Sequence, residues 1–183
     1  MKVAAIIPVK TFSKAKTRLS LPQKVTADLC KLMFEEVLKT IVDYDIDSIV
    51  VVTKDKDAID IGKSYDVIQI ADDETGVNNA VSIADKYLAK NGFDMSVVFP
   101  QDIPFMQRDD IEKLLKFSST NSVLVVHSRR FDGTNALLRN PVNIIETHYD
   151  EDSYKIHMQT GRSHANKTSL VLMWRIMMDV DNN

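Results

Sequence analysis

Only one cysteine, Cys30, occurs among the 183 residues. An internal disulfide is therefore impossible, and secreted disulfide frameworks, cysteine-ligated zinc and thioredoxin-type chemistry are excluded together. Glycine and proline are sparse, five of each, which removes collagen-like and low-complexity architectures. No apolar run approaches the ~18 residues of a membrane span, and no signal-peptide pattern opens the chain. The expectation is a cytoplasmic protein outside the membrane. With 44% hydrophobic residues, 1–183 is long enough to form one domain around its own core.

Acid is missing from the first 27 residues, which hold Lys2, Lys10, Lys14, Lys16, Arg18 and Lys24. The rest of the chain holds 17 basic and 26 acidic side chains. A basic excess confined to one segment suits a small anionic ligand and not a nucleic acid, whose backbone needs a basic stripe across the fold.

Short apolar runs at Val3 to Val9, Ser48 to Thr53, Asp66 to Ala71, Met95 to Phe99 and Ser122 to His127 read as strands. Most are apolar nearly throughout, as in strands buried on both faces. Between them, three- and four-residue apolar spacing marks helices at about Gln23 to Val42, Asp55 to Tyr65, Asn79 to Asn91 and Asp109 to Phe117, with Asn78 or Asn79 as N-cap of the third. Beyond His127 the pattern is less regular: a strand at Ala136 to Arg139, a short helix at Asp152 to Gln159, and strands at Ser169 to Trp174 and Ile176 to Asp181. Alternating strands and helices predict an α/β fold, a Rossmann-like three-layer sandwich around a mostly parallel sheet.

Several ligand motifs are absent. No G-x-G-x-x-G follows the first strand. Gly62-Lys63-Ser64 resembles the end of a phosphate-binding loop, but Asp57 stands where its first glycine belongs. The four histidines lack metal spacing, and no serine occupies a G-x-S-x-G turn. What is present is Lys10-Thr11-Phe12-Ser13-Lys14-Ala15-Lys16-Thr17-Arg18, directly after the first strand, where open α/β sheets bind ligands. Four cations in nine residues repel one another unless an anion joins them, and a triphosphate supplies one; a solvated surface loop is the alternative. Lys16 alternates with Lys14 and is expected to face solvent.

Asp102 follows a buried strand and lies between Pro100 and Pro104, placing a hard oxygen ligand in the same cleft, suited to magnesium. Asp179 and Asp181, two apart, would project from one side of a strand and complete that site. Phe131-Asp132-Gly133-Thr134-Asn135 offers a hydroxyl and an amide that could hold a phosphate or carboxylate, although an ordinary turn uses the same residues.

In order, Ile6 to Leu19, Pro100 to Pro104 and Gly133 to Leu137 resemble the MobA-like nucleotidyltransferases, and more closely the 2-phospho-L-lactate guanylyltransferase family. The resemblance extends across the chain, with weaker matches at Gly76 to Asn78 and Asp179 to Asp181. It implies transfer of a guanylyl group from GTP to the phosphate of 2-phospho-L-lactate, releasing pyrophosphate, in biosynthesis of the deazaflavin coenzyme F-420. By position it implies Lys10, Arg18 and Asp102 as catalytic residues and Lys10, Lys14, Arg18 and Asn78 as nucleotide contacts. It also implies Thr134 and Ser153 for the phosphorylated three-carbon acid, and Asp102, Asp179 and Asp181 for Mg2+. Asp150 stands where that family often has a glycine. Phosphoenolpyruvate as acceptor, a nucleotide-sugar glycosyltransferase and a non-catalytic nucleotide-binding module are the rival readings. The expected partners exclude nucleic acid and membrane, and a homodimer is compatible with the reading.

Overall fold

A computed structural model of the chain describes residues 1–16 and 19–180. The elements run β1 (Val3–Pro8), a 3-10 turn (Phe12–Lys14), α1 (Gln23–Tyr44), β2 (Ser48–Val52), α2 (Lys56–Lys63), β3 (Ile68–Ile70), α3 (Val77–Lys90) and β4 (Met95–Val98). They continue with α4 (Arg108–Phe117), β5 (Ser122–His127), β6 (Thr134–Asn140), α5 (Ser153–His164), β7 (Lys167–Leu170) and α6 (Trp174–Met177). All seven strands join one sheet in the order β3-β2-β1-β4-β6-β5-β7.

Side chains alternate across the sheet, and both faces are covered. Ala5 and Ile7 of β1 pack with Phe34, Val37 and Ile41 of α1 on one side. Ala4 and Ile6 pack with Val81, Ala84 and Leu88 of α3 on the other. This explains why β1 is apolar at every position and not at every second one. The mostly parallel α/β architecture is as the sequence indicates. The exception is β6, antiparallel to both β4 and β5, because the short connection 128–133 makes a hairpin and leaves no room for a crossover. Within β6, Arg139 is completely buried. Its guanidinium donates to both Asp85 carboxylate oxygens at 2.6 Å and to Ser96 Oγ at 3.1 Å.

The structure corrects three local expectations. Gly76, at φ 120°, is the residue preceding α3, so Asn78 and Asn79 lie inside the first turn instead of capping it. Helix α5 continues through Gly161 to His164: a Cβ on Gly161 would approach Thr168 at 2.8 Å, so this glycine permits close packing on β7 and does not stop the helix. Gly62 sits inside α2, within the helix expected at Asp55 to Tyr65, where a Cβ would meet Gln69 at 2.8 Å. Finally, the strand expected from Ile176 is absent. Arg175 donates to both Asp109 and Asp110 at the start of α4, Ile176 enters the core, and the chain forms α6, followed by irregular backbone to residue 180. Among the described residues no helix is long and apolar enough to cross a membrane.

Candidate nucleotide and metal site

The carboxyl ends of β1 and β4 diverge where strand order reverses, a position at which open α/β sheets bind ligands. A cavity of about 590 Å³ opens there, lined by Lys10, Lys16, Asp72, Glu74, Gln101 and Asp102 and by apolar Val9, Val77, Ala80 and Pro100. Its volume suits a small molecule the size of a nucleotide.

The cationic loop enters this cavity under tension from acids elsewhere in the chain. Thr11 N–H donates to Glu74 Oε1 at 3.0 Å and Phe12 N–H to Asp55 Oδ2 at 3.0 Å, and the Thr11 hydroxyl also donates to Glu74 Oε1. Asp55 at the same time accepts from Ala58 N–H and caps α2. Lys14 Nζ and Lys54 Nζ lie 3.0 and 3.1 Å from Glu74 Oε2. The Thr11 hydroxyl and then Lys14 hold the Glu74 carboxyl well below the usual carboxylate range. Glu74 is thus a bracket for the loop, and a carboxylate already supplied with donors.

Two lysines exchange the roles expected of them. Lys14 is 61% exposed and pairs with Glu74, whereas Lys16 is 10% exposed and its ammonium lies on the Asp102 carboxylate. Backbone geometry accounts for the reversal: Lys16 has φ 52°, a left-handed conformation that breaks the two-residue alternation from which solvent exposure was expected. Lys10 lines the cavity as anticipated. Arg18 lies outside the described residues.

Asp102 lines the same cavity, and its carbonyl accepts Val180 N–H at 3.1 Å. That bond brings the segment containing Asp179 against the Asp102 turn. Asn135 Nδ2 donates to Asp179 Oδ1 at 3.0 Å and to Ile176 O at 2.9 Å. The Asp179 segment is therefore placed against the Asp102 turn by irregular backbone and an asparagine, not by a strand. Asp181 lies outside the described residues. Among the described residues no group of three or more His, Cys, Asp or Glu side chains is arranged to hold a metal. Asp102 gives this end of the cavity a hard carboxylate oxygen, the chemistry Mg2+ takes when phosphate oxygens and water complete its shell.

Asn78 is engaged with the chain itself: its Oδ1 accepts Tyr149 N–H at 2.7 Å, and its Nδ2 lies 3.5 Å from Asp150 Oδ2. It holds the loop carrying Tyr149, which lines the cavity. Burial raises the Tyr149 phenol above its ordinary pKa. Thr134 and Ser153 are brought together, hydroxyl to hydroxyl at 3.0 Å, both buried and neither on the cavity wall. Behind them is His157, wholly buried. Its Nε2 accepts His148 N–H at 2.8 Å, so the neutral ring carries its proton on Nδ1 and donates to Thr134 Oγ1 at 2.9 Å. Burial depresses its pKa to about 3. Thr134 precedes Asn135 in β6, but its hydroxyl turns toward α5 whereas the Asn135 amide turns toward the α6 segment and Asp179. The turn before it is self-contained, with Ser128 Oγ accepting Gly133 N–H at 3.0 Å and donating to Asp132 at 2.7 Å.

Glu74, Asp72 and His157 were not singled out by sequence reasoning. Glu74 takes its donors from Thr11 and Lys14, 63 and 60 residues away, and acids such as Asp72 and Glu74 between a strand and a helix look like ordinary solvated residues.

A model of the family described as "Guanylyl transferase CofC like" matches residues 3–183. A 2-phospho-L-lactate guanylyltransferase of Methanothermobacter thermautotrophicus is 28% identical over 99% of this chain and 81% of its own length. One from Methanocaldococcus fervens is 29% identical over 99% and 80%. In three dimensions, a nucleotidyl transferase of Methanothermobacter thermautotrophicus superposes with a TM-score of 0.73 at 12% identity, covering 99% of this chain and 92% of that one. A 4-diphosphocytidyl-2C-methyl-D-erythritol synthase of Anaerococcus prevotii gives 0.66 at 13%, covering 98% and 92%. These two likenesses establish a shared fold.

Proposed function

The chain belongs to the CofC-like guanylyl transferase family, and from that membership we propose that it joins GTP to 2-phospho-L-lactate, giving lactyl-2-diphospho-5′-guanosine and pyrophosphate, a step toward coenzyme F-420. The observation that carries this reading is the convergence of Lys10, Lys16 and Asp102 on one cavity of nucleotide size.

The acceptor phosphate is already an anion near neutral pH and needs no strong base. Its oxygen attacks the α-phosphorus of GTP, the bond to the bridging oxygen breaks, and that oxygen leaves with pyrophosphate. The chain's work is then alignment and charge neutralisation. Lys10 and Lys16, joined by Arg18 as the family resemblance implies, offset the triphosphate charge. Asp102 and Asp179, with Asp181 by the same resemblance, would hold Mg2+, which supplies positive charge at the phosphate oxygens. Asn135 fixes Asp179. The Thr134–Ser153 pair, buried and off the cavity wall, is the anchor of the phosphorylated acid that the family resemblance implies.

The test is pyrophosphate release from GTP, ATP, CTP and UTP against 2-phospho-L-lactate, phosphoenolpyruvate and 3-phosphoglycerate, with magnesium present. Acceptor-dependent release from GTP with 2-phospho-L-lactate supports the proposal. Preference for a sugar phosphate with UTP or CTP refutes it, and nucleotide binding without turnover would mark a non-catalytic module.

A further inference from the structure

Two buried acceptor atoms on the cavity wall have no hydrogen-bond partner among the described residues: Asp72 Oδ1 and Gln101 Oε1. For Asp72 this is costly. Its residue is 8% exposed, and a buried carboxylate oxygen without a donor loses its hydration for nothing in return. The neighbouring acid, Glu74, is in a different condition, taking donors from Thr11, Lys14 and Lys54. The described residues satisfy one carboxylate of this pair and leave an oxygen of the other without a donor.

Position limits what that donor is. Asp72 is two residues past β3, at the edge of the sheet, whereas Asp102 follows β4. The order β3-β2-β1-β4 separates those strands by three spacings, ~14 Å. Lys16 sits on Asp102, and Lys10 follows β1 between the two ends. The start of α3, a few residues past Asp72, gives the wall Gly76, Val77 and Ala80, all apolar, and the lysines that reach this loop, Lys14 and Lys54, pair with Glu74. In a nucleoside triphosphate lying along this cavity with its phosphates among the lysines, the part farthest from the α-phosphorus is the edge of the base.

We infer that Asp72 is the residue that selects guanine, its carboxylate accepting N1–H and the exocyclic N2 amine side by side. Guanine presents two adjacent donors on that edge. Adenine turns an unprotonated N1 toward it, cytosine places an acceptor beside its amine, and uracil flanks its single N–H with carbonyls. A site that loses a hydrogen-bonded partner discriminates far more strongly than one judging shape alone. The apolar residues beside Asp72 suit the faces of a purine, which is why the base and not the ribose diol is assigned here.

The inference rests on the cavity being a nucleotide site, so the test reads binding and not turnover. The full chain is titrated calorimetrically, in magnesium, with GTP, ITP, 2′-deoxy-GTP and ATP, for the parent and for Asp72→Ala and Asp72→Asn, each checked by thermal melting. In the parent, 2′-deoxy-GTP should bind as GTP does. ITP, which lacks the N2 amine, should bind on the order of 10-fold more weakly, and ATP on the order of 100-fold more weakly. Both variants should melt normally, since Oδ1 has no protein partner to lose, and should bring GTP and ATP to within a few-fold of each other. Equal weakening of GTP and ATP, with loss of 2′-deoxy-GTP binding in the parent, overturns the assignment in favour of the ribose. GTP selectivity that survives Asp72→Ala overturns it while leaving the proposed reaction standing. A parent that binds none of the four nucleotides overturns both.

Discussion

Replacing Lys14 and Lys16 separately by methionine probes the site most directly, because spacing and structure rank the two lysines oppositely. Methionine keeps the unbranched stem and removes the charge. Lys14 is 61% exposed and pairs with Glu74 at 3.0 Å. Such exposed pairs contribute ~0–1 kcal/mol, and Glu74 keeps Thr11 and Lys54 as donors when Lys14 is removed. Lys16 is 10% exposed beside an Asp102 that is 16% exposed. A charge-assisted bond to a phosphate from such a position contributes ~1.5–3 kcal/mol, which is ~10- to ~100-fold in kcat/KM. Lys16→Met should therefore lower kcat/KM for GTP by that factor, and Lys14→Met by no more than ~5-fold. The measurement is initial rate of pyrophosphate release against GTP at saturating acceptor, with the acceptor's KM determined in parallel. Equal losses in the two variants, or a larger loss for Lys14→Met, would show that Lys16 does not face the triphosphate.

Asp102→Asn should reduce kcat on the order of 10²–10³-fold with a normal melting temperature, because an amide is a poorer and uncharged partner for a cation; near-normal turnover would remove Asp102 from the metal site. Arg139→Met should destabilise the fold by ~3–5 kcal/mol in urea unfolding by leaving Asp85 buried and unpaired, and Arg139→Met combined with Asp85→Leu should recover much of that loss; a single variant as stable as the parent would mean the pair is not needed. For His157, whose folded pKa of about 3 lies below an unfolded value near ~6.5, the unfolded chain binds the proton first. Stability should be at its full level above that unfolded value and fall by up to ~1.4 kcal/mol per pH unit on acidification toward 3. His157→Gln should show less of this fall than the parent in melts across the range.

Much of the fold was legible because a strand buried on both faces leaves a mark that short windows can detect: Val3–Pro8, Ser48–Val52 and Ser122–His127 are almost uninterrupted apolar runs. Such runs alternating with helices indicate a mostly parallel sheet, but not the order β3-β2-β1-β4-β6-β5-β7 or the antiparallel β6. The segment after Leu170 resisted this reading for a physical reason. Leu170, Leu172 and Trp174 alternate as in a half-buried strand, yet all three are exposed. Arg175, held by Asp109 and Asp110, diverts the chain off the sheet edge. An ion pair spanning 66 residues has no local signature.

The site divides along the same line. Lys10 and Asp102 were readable because each directly follows a strand, and the carboxyl end of a parallel strand fixes where the next residues go. Lys16 was misplaced because alternation holds only in extended backbone, and a left-handed residue rotates its side chain away from the expected side. The acid-free opening segment suggested cations waiting for an anion. In the folded chain that segment borrows Asp55 and Glu74 from the loops after β2 and β3 and is held ready by them. Charge counted along the sequence therefore overstated the electrostatic strain of the loop while leaving its ligand class intact. The carboxylates that hold the lysine loop can be recognised by the donors they accept, whereas Asp72 is recognisable by lacking one, and only the folded chain makes that distinction.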